Sequence, residues 1–174
     1  MLPLLPPAHQ APASKAPELP CDAKDGRPLL LGDCTREQIL AHRAVFRERT
    51  DQSAPSEALR QRWMGLQRPF TVVVAFGSWC SDSQHEVPSL LALDATPNPF
   101  VEVRFIGVAR DKAIDAKAWP AGIPAQKADR VPTAWIFALG PGGSLTLVGS
   151  VVEHPSKPGE SFAEAILDVM GQAR

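Results

Sequence analysis

Two hydrophobic patterns alternate along the chain: continuous apolar runs and helical stripes. Residues 70–76, FTVVVAF, form an almost uninterrupted β-branched run. Such a run suits a strand buried on both faces of a central sheet. VEVRFIGV at 101–108 reads as a second strand. TAWIFAL at 133–139 and SLTLVGSVV at 144–152 flank Gly-Pro-Gly-Gly, which signals a hairpin. Helical signals fill the intervals. Thr35 and Gln38 have capping-box spacing, and Ile39, Leu40, Ala44 and Phe46 carry a rough stripe to about Glu48. Ser56 opens a second helix with Leu59, Trp63 and Leu66 on one face, ended by Arg68-Pro69. A third begins after Cys80 and runs to about Leu93, with Pro88 inside it. Residues 112–118 read as a short helix before a loop holding Pro120, Gly122 and Pro124. Ser161 and Glu164 form another capping box, and Phe162, Ile166 and Val169 share a face of the last helix. The predicted order is two helices, then β-α-β-(α)-β-β-α. Its first two strands run parallel through a right-handed crossover, and its last two form an antiparallel hairpin.

Composition divides this picture into parts. The chain has 174 residues, enough for one domain with extensions, and 44% are apolar, enough for a folded core. The first 28 residues hold seven of the 18 prolines, which remove donors and block helix. They read as an extended, poorly ordered tail (1–28). A helical extension (29–67) and the sheet-bearing domain (68–174) come next. The start of the chain lacks the basic and unbroken apolar stretches of a signal peptide, although it resembles the stretch left once a signal has been removed. The Glu-Leu-Pro before Cys21 is a poor lipidation site. The net charge is −1 and no basic stripe is present, which argues against a nucleic-acid partner. No apolar run approaches 18 residues, so no membrane span is expected.

The three cysteines are Cys21, Cys34 and Cys80. An odd count invites one pair and one free thiol. Cys21 and Cys34 bracket a Gly/Pro turn segment, and a bridge between them would contribute roughly 3 kcal/mol by loop closure. It would also place the protein in an oxidising compartment, periplasmic or secreted. Two separate thiols in a reducing cytoplasm are the alternative.

Cys80 lies where a central strand gives way to a helix, the place where reactive groups collect in such folds. Unpaired N–H groups and the helix dipole both favour a thiolate there. The neighbours Gly77, Ser78, Ser81, Asp82 and Ser83 are small or polar, unlike the surroundings of a core cysteine. His85, five residues on, points well round the helix from the sulfur and reads as solvated surface, as does Glu86. No set of residues has metal-ligand spacing, and no cofactor is called for.

Trp79-Cys80-x-x-Ser83 after an apolar strand resembles the W-C-x-x-C site of thioredoxins. Pro88 matches the proline that kinks their active-site helix, and Val131-Pro132-Thr133 resembles their cis-proline segment. Order and spacing agree over about residues 68–172. WCSDSQHEVP, RVPTAWIF and VVEHP together resemble a bacterial thioredoxin-like group with W-C-x-D-[CS] sites. The resemblance implies an α/β, thioredoxin-like fold, a central mixed sheet flanked by helices, here extended by two N-terminal helices and the Pro-rich tail. It implies that Val131 and Pro132 line a substrate groove beside Cys80, with Trp79 at its rim. A cis X–Pro bond is rare and must be locked by context.

The chain departs from that pattern at two positions. Ser83 stands where the resolving cysteine would be, so release of a mixed disulfide must come from outside. One turn on from Cys80, its hydroxyl is placed to hydrogen-bond the thiolate. Val74 stands where thioredoxins usually bury an acid, and the charge of Asp82 would oppose thiolate formation. Three readings fit these residues. The first, and preferred, is a thiol–disulfide oxidoreductase or isomerase acting through Cys80, with Ser83 beside it, on protein thiols or disulfides. The second is a redox-inactive binding module keeping the groove. The third is a monothiol protein using glutathione. A monomer is expected in each. An Fe–S carrier of the glutaredoxin type also uses C-x-x-S, but Trp79 and the C-terminal layout fit thioredoxins better.

Overall fold

A computed structural model of the chain describes residues 19–173. The expected tail lies outside the described residues as far as residue 18. A five-stranded mixed sheet is flanked by five helices. The elements are β1 (Gly32–Cys34), α1 (Arg36–His42), α2 (Ala44–Gln52), α3 (Glu57–Met64), β2 (Phe70–Phe76), α4 (Ser81–Asp94), β3 (Val101–Gly107), β4 (Thr133–Leu139), β5 (Leu145–Val152) and α5 (Phe162–Gln172). The strand order is β1-β3-β2-β4-β5. β2 pairs parallel to β3 and antiparallel to β4, with Val74 between Phe105 and Ala134. β1 runs antiparallel to β3, and β4 antiparallel to β5 across a bulge at Ile136/Phe137.

The apolar run at 70–76 is buried along its whole length, as a central strand requires. Its alternate residues feed two cores. Val72, Val74 and Phe76 meet Ile39, Phe46, Trp63, Leu90 and Ile166 from the helices. Val73 and Ala75 meet Trp135 and Phe137 from β4, and Ala118, Ile123 and Val131 from the long connection before it. The N-terminal helices therefore share one core with the sheet.

Four readings of the sequence change. The stripe from Thr35 to Glu48 breaks at Arg43, which is extended (φ −137°, ψ 135°) and separates α1 from α2. Residues 112–118 are turns. Asp111 and Asp115 accept hydrogen bonds from the N–H groups of Ala113 and Lys117, replacing helical partners. Residues 19–28 are an ordered turn, with Cys21 bridged to Pro28 and Leu29 N–H donating to the carbonyl of Pro20. Cys21 and Cys34 are both free thiols. Cys34 is buried in β1, its thiol donating to the carbonyl of Gly32, and burial raises its pKa. Cys21 is exposed on the turn. The bridge, and with it the argument for an oxidising compartment, loses its support. Among the described residues no helix is long and apolar enough to cross a membrane.

The end of α4 carries a pH-dependent term. Burial pushes Asp94 up to about 6, with Arg36 opposing and Glu37 adding to the rise. A carboxyl whose folded value is raised is most stabilising when protonated. Its contribution is present below the unfolded value near 4 and is lost as pH rises through about 6. The span corresponds to on the order of 2–3 kcal/mol. Asp94→Asn is expected to flatten this dependence and to be the more stable protein at pH 7. Urea unfolding at pH 4.5 and pH 7 checks it, and parallel loss in both proteins would refute the assignment.

Candidate functional site

The site forms where β2 ends and α4 begins. Cys80 is the N-cap of α4, with extended backbone (φ −90°, ψ 127°), and no side chain caps the helix there. Its N–H donates to the carbonyl of Gly77, and its carbonyl accepts from Gln84 N–H. The half-buried thiol points at the carbonyl of Val131, 3.4 Å away. The Val131–Pro132 peptide is cis. Thr133 fixes this loop by donating its hydroxyl to the carbonyl of Arg130 (2.8 Å). Cys80, Trp79, Val131 and Pro132 are thus brought together from segments about fifty residues apart.

Trp79 folds back over Gly77, where a Cβ would meet the indole at 2.7 Å. Only glycine leaves room for this ring position. The indole N–H donates to the carbonyl of Val108 (2.9 Å). The outer face of the ring carries a cation, with the Arg110 guanidinium carbon 4.7 Å from the centroid. Arg110 is in turn gripped by Asp22, a fork of hydrogen bonds at 2.7–3.0 Å. Asp22 is 2% exposed, and Arg110 holds its carboxyl down to about 2. Leu30 N–H donates to the buried hydroxyl of Ser78. The N-terminal turn therefore supports the site on two of its residues. Sequence reasoning missed Asp22 and Arg110: they lie 88 positions apart, and no local pattern links them.

Ser83 has a backbone partner that the spacing did not indicate. It is fully buried, and its hydroxyl accepts from Gly77 N–H (3.1 Å). That contact ties the first turn of α4 to the loop before Cys80. It uses a lone pair of the oxygen and leaves the hydroxyl proton uncommitted. Val74 is fully buried in the helix-side core, and β2 brings no acid to the site. His85 is exposed, as the helical geometry predicts.

A second polar group closes the far side of α4. His154, in the VVEHP segment after β5, approaches Glu86 at 2.9 Å and Asp82 at 3.8 Å. Donation to the Glu86 carboxylate, then the charges of Glu86, Asp82 and Glu153, raise its pKa. Its protonated form therefore ties the segment after β5 to α4, an attachment that weakens as pH rises. Among the described residues no cluster of three or more His, Cys, Asp or Glu is arranged to hold a metal ion.

No family model matches the chain, and no curated protein matches it. Among solved structures, the chain is similar to a protein of unknown function, PA1234, from Pseudomonas aeruginosa. The TM-score is 0.52 at 19% identity, over 80% of this chain and 90% of that one. An HIV epitope scaffold gives a TM-score of 0.49 at 20% identity, over 81% of this chain and 87% of the scaffold. The similarity to the Pseudomonas aeruginosa protein extends to the fold: the chain is an α/β protein built on a five-stranded mixed sheet.

Proposed function

We propose that this protein is a thioredoxin-like thiol–disulfide exchange protein acting through Cys80 alone. One observation carries the reading: a free, half-buried thiol at a helix N-cap, its sulfur against the carbonyl that precedes a cis-proline. The thiol attacks a substrate disulfide as its thiolate. A bond forms between Cys80 and one substrate sulfur, the original S–S bond breaks, and the other sulfur leaves as a thiolate that takes a proton from water. No side chain caps the first N–H groups of α4, whose positive end favours a thiolate at its N-cap, and Trp79, Val131 and Pro132 form the wall against which the substrate lies. The cycle stops at the mixed disulfide because Ser83 supplies no second thiolate.

The test is reaction with bis(2-hydroxyethyl) disulfide, followed by peptide mass spectrometry. Cys80 is expected to carry the adduct in the native protein, and Cys80→Ala to lose it at that position with Cys34 still unmodified. A Cys80 that reacts only after unfolding would overturn the reading. That outcome would favour the second one, a binding module that keeps the groove without turnover. The engagement of Ser83 by Gly77 supports it, because it gives the serine a structural job independent of chemistry.

A further inference from the structure

Two residues just after β5, Glu153 and His154, reach both sides of the site. Glu153 has φ 56°, a left-handed conformation that a glutamate keeps only where its surroundings hold it. Its N–H donates to the carbonyl of Pro132 (2.7 Å), and its carboxylate accepts from the guanidinium of Arg130 (2.7 Å). One residue thus grips both neighbours of Val131, whose carbonyl meets the Cys80 sulfur. The corner closes with His154 N–H on the carbonyl of Val152 (2.7 Å). The ring of His154 then meets α4, with Nδ1 2.9 Å from Glu86 and Nε2 3.8 Å from Asp82. Among the described residues, the other polar contact between the 130–133 loop and the start of α4 is that of the Cys80 thiol itself.

We infer that Glu153 and His154 are positioning residues for Cys80: they brace the Val131–Pro132 wall against the start of α4, so that an extended substrate meets wall and thiol at a fixed separation. The inference rests on Cys80 being the nucleophile. The brace is strongest with His154 protonated. An imidazolium has an N–H for each of the two carboxylates, whereas the neutral ring keeps one and turns a lone pair on the other. The charged groups facing the ring are Asp82 and Glu86 on α4 and Glu153 beside it in sequence. Lys157, Glu160 and Asp168 line the same cavity towards α5, and there Lys157 is paired with both carboxylates. The carboxylates nearest the ring hold its proton on above the ordinary value near 6.5. The brace is therefore complete below that value and is lost as pH rises through the raised one. A small disulfide needs only the thiol, but a peptide that lies along the wall needs both.

The experiment compares two mixed disulfides of 5-thio-2-nitrobenzoate, one on a capped pentapeptide without ionisable side chains and one on N-acetylcysteinamide. Cys80 attacks the cysteine sulfur, the S–S bond breaks, and the coloured thiolate leaves. The Cys21→Ser protein is used, and peptide mass spectrometry places the adduct. Each rate is divided by that of free N-acetylcysteinamide with the same disulfide. The ratio of peptide to small disulfide cancels the ionisation of Cys80 and reads the wall. It is expected to favour the peptide at pH 6 and to fall about threefold by pH 8.5, the scale of one partly exposed ion pair. His154→Gln is uncharged at every pH and keeps a donor for Glu86, so its ratio is expected not to change with pH. His154→Ala is expected to give the low ratio at both ends. His154 is half-exposed, so both variants should fold. His85→Gln, at the exposed histidine of α4, is expected to retain the parent's pH dependence. A flat ratio in the parent, a fall that persists in His154→Gln, or a parent-like ratio in His154→Ala would overturn the proposal and leave Cys80 as the nucleophile. A native Cys80 that takes neither adduct would remove the nucleophile itself, and this proposal with it.

Discussion

On the proposed function, Ser83→Cys is expected to turn a site that stops at the mixed disulfide into one that completes the cycle. The new thiol stands one turn on from Cys80, the spacing at which a second thiolate attacks the first cysteine's sulfur and displaces the substrate. Insulin reduction with dithiothreitol as the electron source should rise by about two orders of magnitude, the scale of a catalytic group acting within the molecule instead of from solution. The substitution has a cost. Ser83 is fully buried and accepts from Gly77 N–H, and sulfur is the weaker acceptor, so a stability loss of about 1–2 kcal/mol is expected. Activity and unfolding should therefore be measured on the same preparation. A folded variant with no gain in turnover would show that the surroundings of Cys80, including the apolar Val74, have lost competence for reduction.

Trp63→Ala should be among the most damaging single changes outside the site. Trp63 is 1% exposed, packs in the helix-side core, and donates its indole N–H to the carbonyl of Thr96 (2.8 Å). Asn98 in turn donates its amide to the carbonyl of Trp63, so α3 is stitched to the loop after α4 from both directions. Truncation is expected to cost about 4 kcal/mol, from lost burial, the cavity left behind and the orphaned Thr96 carbonyl. Trp63→Phe should recover more than half of that. Denaturant unfolding by far-UV circular dichroism reads both. A loss below about 1 kcal/mol would mean that the helices before β2 are an appendage with little share in the fold's stability.

Much of the architecture was legible because it is local. The capping boxes at Thr35 and Ser161 are both formed, each with its reciprocal hydrogen bond. β2 and β4 begin and end where their apolar runs do. Pro88 sits inside α4, as its spacing from Cys80 predicted. β1 escaped notice because three residues, Gly-Asp-Cys, show no period. They become a strand only by pairing with β3 some seventy positions later. The helix expected at 112–118 failed for a reason visible afterwards: each aspartate offers its own backbone a better local partner. Counting cysteines suggested a bridge, but the chain puts Cys34 into the sheet and Cys21 on an exposed turn. At the site, the motif residues announced themselves, whereas Arg110 and Asp22 acquire meaning only in three dimensions.

The grip of Asp22 on Arg110 also bears on the order in which the molecule is made. The ribosome releases Asp22 first, and its partner is synthesised 88 residues later. Leu30 likewise waits 48 residues for the hydroxyl of Ser78. Contacts this distant in sequence form late, because long loops must close before they are rewarded. Cys80 therefore emerges on a nascent chain whose indole has no arginine above it and whose Asp22 has nothing to hold. The carbonyl of Val131 that meets the sulfur comes later still. Until Val131 is made the thiol exists without its rim, and the arrival of that segment, not the appearance of the motif, marks the birth of the site.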